Sequence, residues 1–259
     1  MSGLISLDLF DLALALVMIV VAIALSRWQK LGLGGQLAIA AGRALLQLLV
    51  AGYALAFIFA LDSPLAVIIA IGVMITFAAI ASRNRISQKI TSLLLLMWGS
   101  LFTSSALTLS YLVLVIIQPP VWYSPQYLIP LAGMIIGNAM DTATIAGERL
   151  VSTINRSHLE IETYLSLGAT PAQAVAQYRQ EAIRAGLIPL INRMTMMGLV
   201  TLPGLLTGQV LAGADPLNAT LYQILIVFAI ALANFIAVIL ITQGLIRHFF
   251  NDKAQLVSR

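Results

Sequence analysis

Seven apolar runs, separated by short polar gaps, organise the 259-residue chain. They cover roughly residues 9–25, 44–61, 65–80, 93–117, 128–146, 194–212 and 221–246. A hydrocarbon core about 30 Å thick takes about 20 residues of helix, so this pattern predicts seven membrane-spanning helices. Two of the gaps are tight turns, Asp62-Ser63-Pro64 and Gly213-Ala214-Asp215-Pro216, in which proline suits a stop or a start. A longer gap over 118–126 carries Pro119, Pro120, Trp122 and Tyr123. Its aromatic residues fit an interfacial belt better than a ligand cage. Pro203 falls in the middle of the sixth run and predicts a kink there, or a break into two half-helices.

The polar gaps alternate in charge. Arg27, Lys30 and Arg43 follow the first run, and Arg83, Arg85 and Lys89 follow the third. Arg149, Arg156, Arg179, Arg184 and Arg193 follow the fifth; Arg247, Lys253 and Arg259 follow the last. The remaining gaps hold no Lys or Arg, only the acids Asp8, Asp11, Asp62 and Asp215. Basic loops stay on the cytoplasmic side, so the pattern predicts an all-α polytopic bundle with its N-terminus outside and its C-terminus in the cytoplasm.

Composition agrees with that class: 60% of residues are hydrophobic, 9% are charged, and the mean hydropathy is +0.99. A pI near 9.6 would suggest nucleic acid for a soluble domain. Charges spread over four cytoplasmic segments are explained more simply by retention at an anionic leaflet, so no nucleic-acid partner is expected. Cysteine is absent, which excludes disulfides, thiolate metal sites and thiol catalysis. His158 and His248 do not cluster, and no metal, cofactor or catalytic residue is assigned. The N-terminus has no basic n-region or small-residue cleavage site, and is taken as a retained first span. No G-x-x-x-x-G-K-[ST] occurs, so ATP cannot bind here through a Walker A loop.

Residues 147–190 are the one sizeable soluble stretch, predicted as two helices, 148–167 and 171–185, around a sharp turn. Gly168 suits the left-handed position past a helix end. Thr170 is an N-cap, Pro171 a first helical residue, and Gln173 completes a capping box. The stretch is either a connector packed under the bundle or a docking surface.

Within the spans, Arg43 and Gln47 lie four apart on one helix face, and Met134, Asn138 and Asp141 share a face of the fifth run. Buried ionisable or amide groups are pathway candidates because they are costly to hold in a bilayer. Each has a plainer explanation: Arg43 can snorkel, and Asp141 lies about five residues from its span's end. Ser100, Ser104, Thr108 and Tyr111 form a polar stripe that more often glues helices than lines a path. Gly133-x3-Gly137 and Gly204-x3-Gly208 favour close helix packing, and Met194, Met196 and Met197 are expected as apolar filler.

Glu162, followed after five residues by Gly168-Ala169-Thr170-Pro171, then a basic helix and Pro189, resembles the coupling loop of ABC importer permeases. Thr163-Tyr164 stand where that pattern has small residues. A second resemblance covers nearly the whole chain. The motifs Gly42-Arg43-Ala44-Leu45-Leu46-Gln47, Ile129-Pro130-Leu131-Ala132-Gly133-Met134-Ile135-Ile136-Gly137-Asn138-Ala139-Met140, Leu165-Ser166-Leu167-Gly168-Ala169-Thr170-Pro171 and Gly198-Leu199-Val200-Thr201-Leu202-Pro203-Gly204 resemble the FetB-type iron-export ABC permeases. That family also includes plant membrane subunits linked to aluminium tolerance.

The resemblance implies one permease domain over 1–259, with 147–190 as coupling helices, in the bacterial inner membrane. It implies a homodimer in the lipid bilayer, working with a separate ATPase that carries ATP and Mg; the permease itself is not an enzyme. The cargo is a metal ion, iron foremost, or a metal complex, moved by export, although the coupling loop alone resembles importers. Glu162, Gly168, Ala169, Thr170 and Pro171 would couple to the ATPase; Arg43, Gln47, Met134, Asn138, Asp141 and Pro203 are the pathway candidates. An ion-coupled secondary transporter would show more buried acids and inverted repeats. A non-transporting membrane scaffold would leave the intramembrane polar groups idle.

Overall fold

The structure, a computed structural model, describes residues 8–88, 90, 92–251 and 255–256. Lys89, Lys253 and Arg259 of the charge pattern lie outside the described residues. Every extended element is helical; among the described residues the only bridges are isolated, Met197 with Thr201 and Phe250 with Leu256. The chain is a polytopic helical membrane protein, as its pattern predicts. It divides into two compact units, residues 1–62 with 211–214, and residues 63–210 with 215–259.

The first unit is a helical hairpin of α1 (Leu9–Trp28) and α2 (Gly34–Leu61). Lys30 and Gly32, at φ 54° and 70°, turn the chain between them. Gly34 admits the close approach: a Cβ there would lie 3.4 Å from Ile23 Cγ2. Its apolar side chains face outward, and no residue of α2 is buried. Exposed Leu, Val and Phe are unremarkable where the surrounding solvent is lipid.

The second unit is built around α5 (Pro125–Arg156), a helix of 32 residues. Its buried positions include Ala132, Ile135, Ala139, Ala143, Ala146, Leu150 and Ile154, a three-and-four spacing that gives one continuous inward stripe. Packed on it are α3 (Pro64–Ile86), α4 (Leu93–Tyr111), α8 (Ala176–Met196) and α10 (Pro216–Phe249). Beyond Tyr111, α4 loosens into a π-helical stretch, Leu112–Ile117, which ends at Gln118 with φ 45°. Trp122 and Tyr123 come next, their rings edge to face at 5.6 Å.

Three glycines set the closest packing in this unit. A Cβ on Gly186 would meet the Thr142 carbonyl oxygen at 2.7 Å and the Ala146 Cβ at 3.0 Å. One on Gly147 would meet Ile86 Cδ1 at 2.7 Å, and one on Gly244 would overlap Leu96. The expected Gly-x3-Gly pairs do not serve this purpose. Gly137, Gly204 and Gly208 have nothing within 4 Å of that position, and Gly133 only the flexible tip of Met74, at 3.1 Å. Spacing marks where a seam can form, but which helix lies opposite decides whether one exists.

Among the described residues six helices are long and apolar enough to cross a membrane, and the run 194–212 is not one of them. It is broken into half-helices, the second of the two outcomes Pro203 predicts. The helix α8 stops at Met196; Gly198 takes φ 79°, and the Val200 and Thr201 amides both return to the Met196 carbonyl. Pro203, with no N–H to give, precedes a separate short helix, α9 (Gly204–Leu211). The seven predicted runs thus take the form, among the described residues, of six continuous helices and one broken passage. A correction concerns 148–167, predicted as one helix: α5 runs through the boundary unbroken and ends at Arg156. Ser157 separates it from α6 (His158–Ser166).

Candidate functional site

The turn predicted at Gly168 is present, and backbone chemistry explains its shape. Gly168 has φ 92°, a left-handed conformation that leaves the end of α6. Its amide bonds the Leu165 carbonyl, and the next amide, of Ala169, reaches back to Tyr164, each at 3.0 Å. That pair of bonds closes the helix with a Schellman motif. One residue on, Thr170 caps the short helix α7 (Pro171–Ala174). Its Oγ1 accepts the Gln173 amide at 3.3 Å, while Gln173 Oε1 accepts the Thr170 amide at 2.9 Å. Pro171 sits at the first turn, where its missing N–H costs nothing. Stop and start signals two residues apart fix the angle between α6 and α7.

The same element presents apolar surface. Leu159 and Leu167 of this segment are 80% and 79% exposed. Glu162 is also outward, with Oε1 3.5 Å from His158 Nδ1 one turn earlier. Behind this face the packing is tight: Ile161, Ala174, Val175 and Tyr178 are buried. Burial, and then the neighbouring Glu160 carboxylate of α6, raise the Tyr178 hydroxyl above its usual pKa of 10.0, so the phenol stays neutral where α8 begins. A rigid support behind an exposed acid and exposed leucines suits a docking surface.

The intramembrane candidates fall in both units and are described unit by unit. Arg43 and Gln47 are exposed on α2, in the hairpin unit. In the second unit, Met134 and Asn138 are half-buried, and Asn138 Nδ2 donates to the Met134 carbonyl at 2.8 Å. One of its two amide hydrogens is thus bonded within its own helix, and Asp141 is exposed. Pro203 is half-buried at the break before α9. In the polar stripe of α4, Ser100, Ser104 and Thr108 face inward while Tyr111 faces out at 55% exposure. Met194 packs beside the buried cluster of Ala146, Leu187, Leu190 and Val238, as filler should. Among the described residues no three His, Asp or Glu side chains come together to hold a metal ion.

Polar ties that periodicity does not reveal join the helices instead. Asn234 Nδ2 of α10 donates to Thr142 Oγ1 of α5 at 2.8 Å, and the hydroxyls of Thr144 on α5 and Ser82 on α3 are hydrogen-bonded at 2.9 Å. Arg179 Nε of α8 donates to Thr242 Oγ1 of α10 at 3.3 Å. Asn234 carries a signal in the sequence: it is an amide in the middle of the last apolar run, as costly there as Asn138. Its Oδ1 is buried with no partner among the described residues.

Residues 9–250 match the uncharacterised protein family UPF0014, and the chain belongs to it. It is 55% identical to a UPF0014 membrane protein of Synechocystis, over 98% of each chain. It is 35% identical to the "Probable iron export permease protein FetB" of Escherichia coli, over 95% of this chain and 94% of that one. Rice contributes the UPF0014 membrane protein STAR2, 34% identical over 93% of this chain and 84% of the relative. No solved structure matches.

Proposed function

We propose, with membership of UPF0014 as the premise, that this chain is the permease subunit of an ABC transporter, driven by a separate ATPase. The observation that carries the reading is the capped turn at Gly168–Pro171, with Glu162, Leu159 and Leu167 exposed beside it. A motor that closes on nucleotide needs a stiff element to push, and a permease needs that element outside its membrane core. Two copies of this chain and two of the ATPase would complete the pathway, in the bacterial inner membrane, with the N-terminus outside.

The cargo in this reading is iron or an iron complex, moved outward, on the support of the 35% identity to FetB. The pathway candidates include one carboxylate, Asp141, and no cysteine, which fits transient contact better than storage, since an ion held tightly would not leave.

Gly168→Val tests the coupling. A Cβ at Gly168 meets nothing within 4 Å, so the substitution strains only the backbone at φ 92°. The variant is expected to insert normally, yet to lose most of the ATP hydrolysis that the permease stimulates in its partner. Gly168→Asn, which tolerates left-handed geometry, is expected to keep it. Full stimulation by the valine variant would overturn the coupling role.

A further inference from the structure

A groove of about 790 Å³ runs between α4 and α10, and its chemistry changes along its length. At one end lie Ser92, Arg247 and His248, where the start of α4 meets the end of α10; Ser92 Oγ and His248 Nδ1 are 3.1 Å apart. Further in, Leu95, Leu96, Gly99 and Leu240 line the walls. The lining covers positions 92–103 of α4 and 240–248 of α10. At 1.5 Å per residue that is roughly 12–16 Å, about half of a bilayer core.

Three observations point to its occupant. No Asp or Glu lines the groove, and the exposed Arg247 makes no ion pair among the described residues. Arg247 comes directly after the last apolar run, 221–246, which puts its guanidinium at headgroup depth. Ser100 lines the groove at 3% exposure and has no hydrogen-bond partner among the described residues, so its hydroxyl is left to whatever fills the space. A free cation at the interface, continued by an apolar trough, is complementary to a molecule with an anionic head and an acyl tail. We infer that the α4–α10 groove binds an anionic phospholipid, its phosphate on Arg247 beside the Ser92–His248 pair and one acyl chain along Leu95, Leu96, Gly99 and Leu240.

Guanidinium matches phosphate through paired hydrogen bonds, which gives the site its preference for charge. Gly244 presses α10 onto Leu96 and makes a fixed floor, so a lipid seated there would tie the two helices together. The inference needs only the membrane-embedded bundle and stands apart from the transport reading.

Native mass spectrometry of the full chain from detergent, offered phosphatidylglycerol or phosphatidylcholine, tests it. The wild type is expected to retain phosphatidylglycerol in preference. Arg247→Gln should cut that retention about fivefold, leaving phosphatidylcholine unchanged, while Arg247→Lys keeps the preference. Gly99→Leu, placed where a Cβ meets nothing within 4 Å, should fill the trough and lower retention of both lipids. Three results would overturn the site. One is equal retention of the two lipids by the wild type, which decides the matter without any variant. Another is displacement of phosphatidylglycerol by millimolar inorganic phosphate, which would mark a phosphate site. The third is a change of oligomeric state in Gly99→Leu with lipid retention intact, which would mark a contact with a second copy.

Discussion

Asn234 of α10 donates a 2.8 Å hydrogen bond to Thr142 of α5, and both side chains are buried. Gly186 of α8 meets the same spot, since a Cβ there would lie 2.7 Å from the Thr142 carbonyl. Three helices thus converge on one residue, half-way along the central helix. One of them, α8, begins just after the short helix α7 and runs to the broken passage.

If the bond holds the junction, Thr142→Val should lower stability by about 1 kcal/mol, because it leaves the Asn234 amide unpaired. Asn234→Leu should cost less, since it removes the polar group as well as the bond. The double variant should then lose less than the sum of the singles in detergent unfolding. Strict additivity would mean that the bond contributes nothing.

Gly186→Ala should destabilise by about 1–3 kcal/mol, because the backbone carbonyl it meets cannot swing aside. Gly137→Ala, on the Gly-x3-Gly motif, meets nothing within 4 Å and should be neutral or slightly stabilising, since alanine favours helix. Unfolding midpoints of the two variants check the contrast. A loss at Gly137 matching that at Gly186 would place the seam where spacing alone suggests it.

These contrasts show which features are legible in the sequence. Membrane class and helix positions come from runs of apolar residues, because lipid rewards nothing else. The Gly168 turn is legible to the residue, since Gly168, Thr170, Pro171 and Gln173 act on their own backbone. The partners of Gly186, Gly147 and Gly244 are not, because each depends on which helix lies opposite. Pro203 announces a disruption, but the choice between kink and break is settled by Gly198 and its left-handed turn. Asn138 and Asn234 look alike as intramembrane amides, yet one bonds its own helix and the other crosses to α5.

Topology can be checked directly. Reporters fused at Asp62, Ser124 and Asp215 should register the exterior, and those at Arg85 and Arg156 the cytoplasm, because basic residues keep to alternate gaps. With six continuous helices among the described residues, opposite sides for the two termini require the α8–α9 passage to count as one crossing. A cytoplasmic signal at Asp215 would make that passage re-entrant and put both termini on one side.

Asn138 provides the sharpest test of the pathway. Its Nδ2 bonds the Met134 carbonyl one turn back, and among the described residues the amide nitrogen ties α5 to no other helix. Loss of such a local bond costs little, and leucine suits a bilayer, so Asn138→Leu should leave the unfolding midpoint nearly unchanged, within about 0.5 kcal/mol. If cargo passes this half-buried face, transport per folded protein should nevertheless collapse, because an acceptor oxygen has been replaced by methyl groups. A drop in stability that accounts for all lost transport would instead assign Asn138 to packing between helices or between copies of the chain. Transport that is unchanged per folded protein would remove the residue from the pathway altogether.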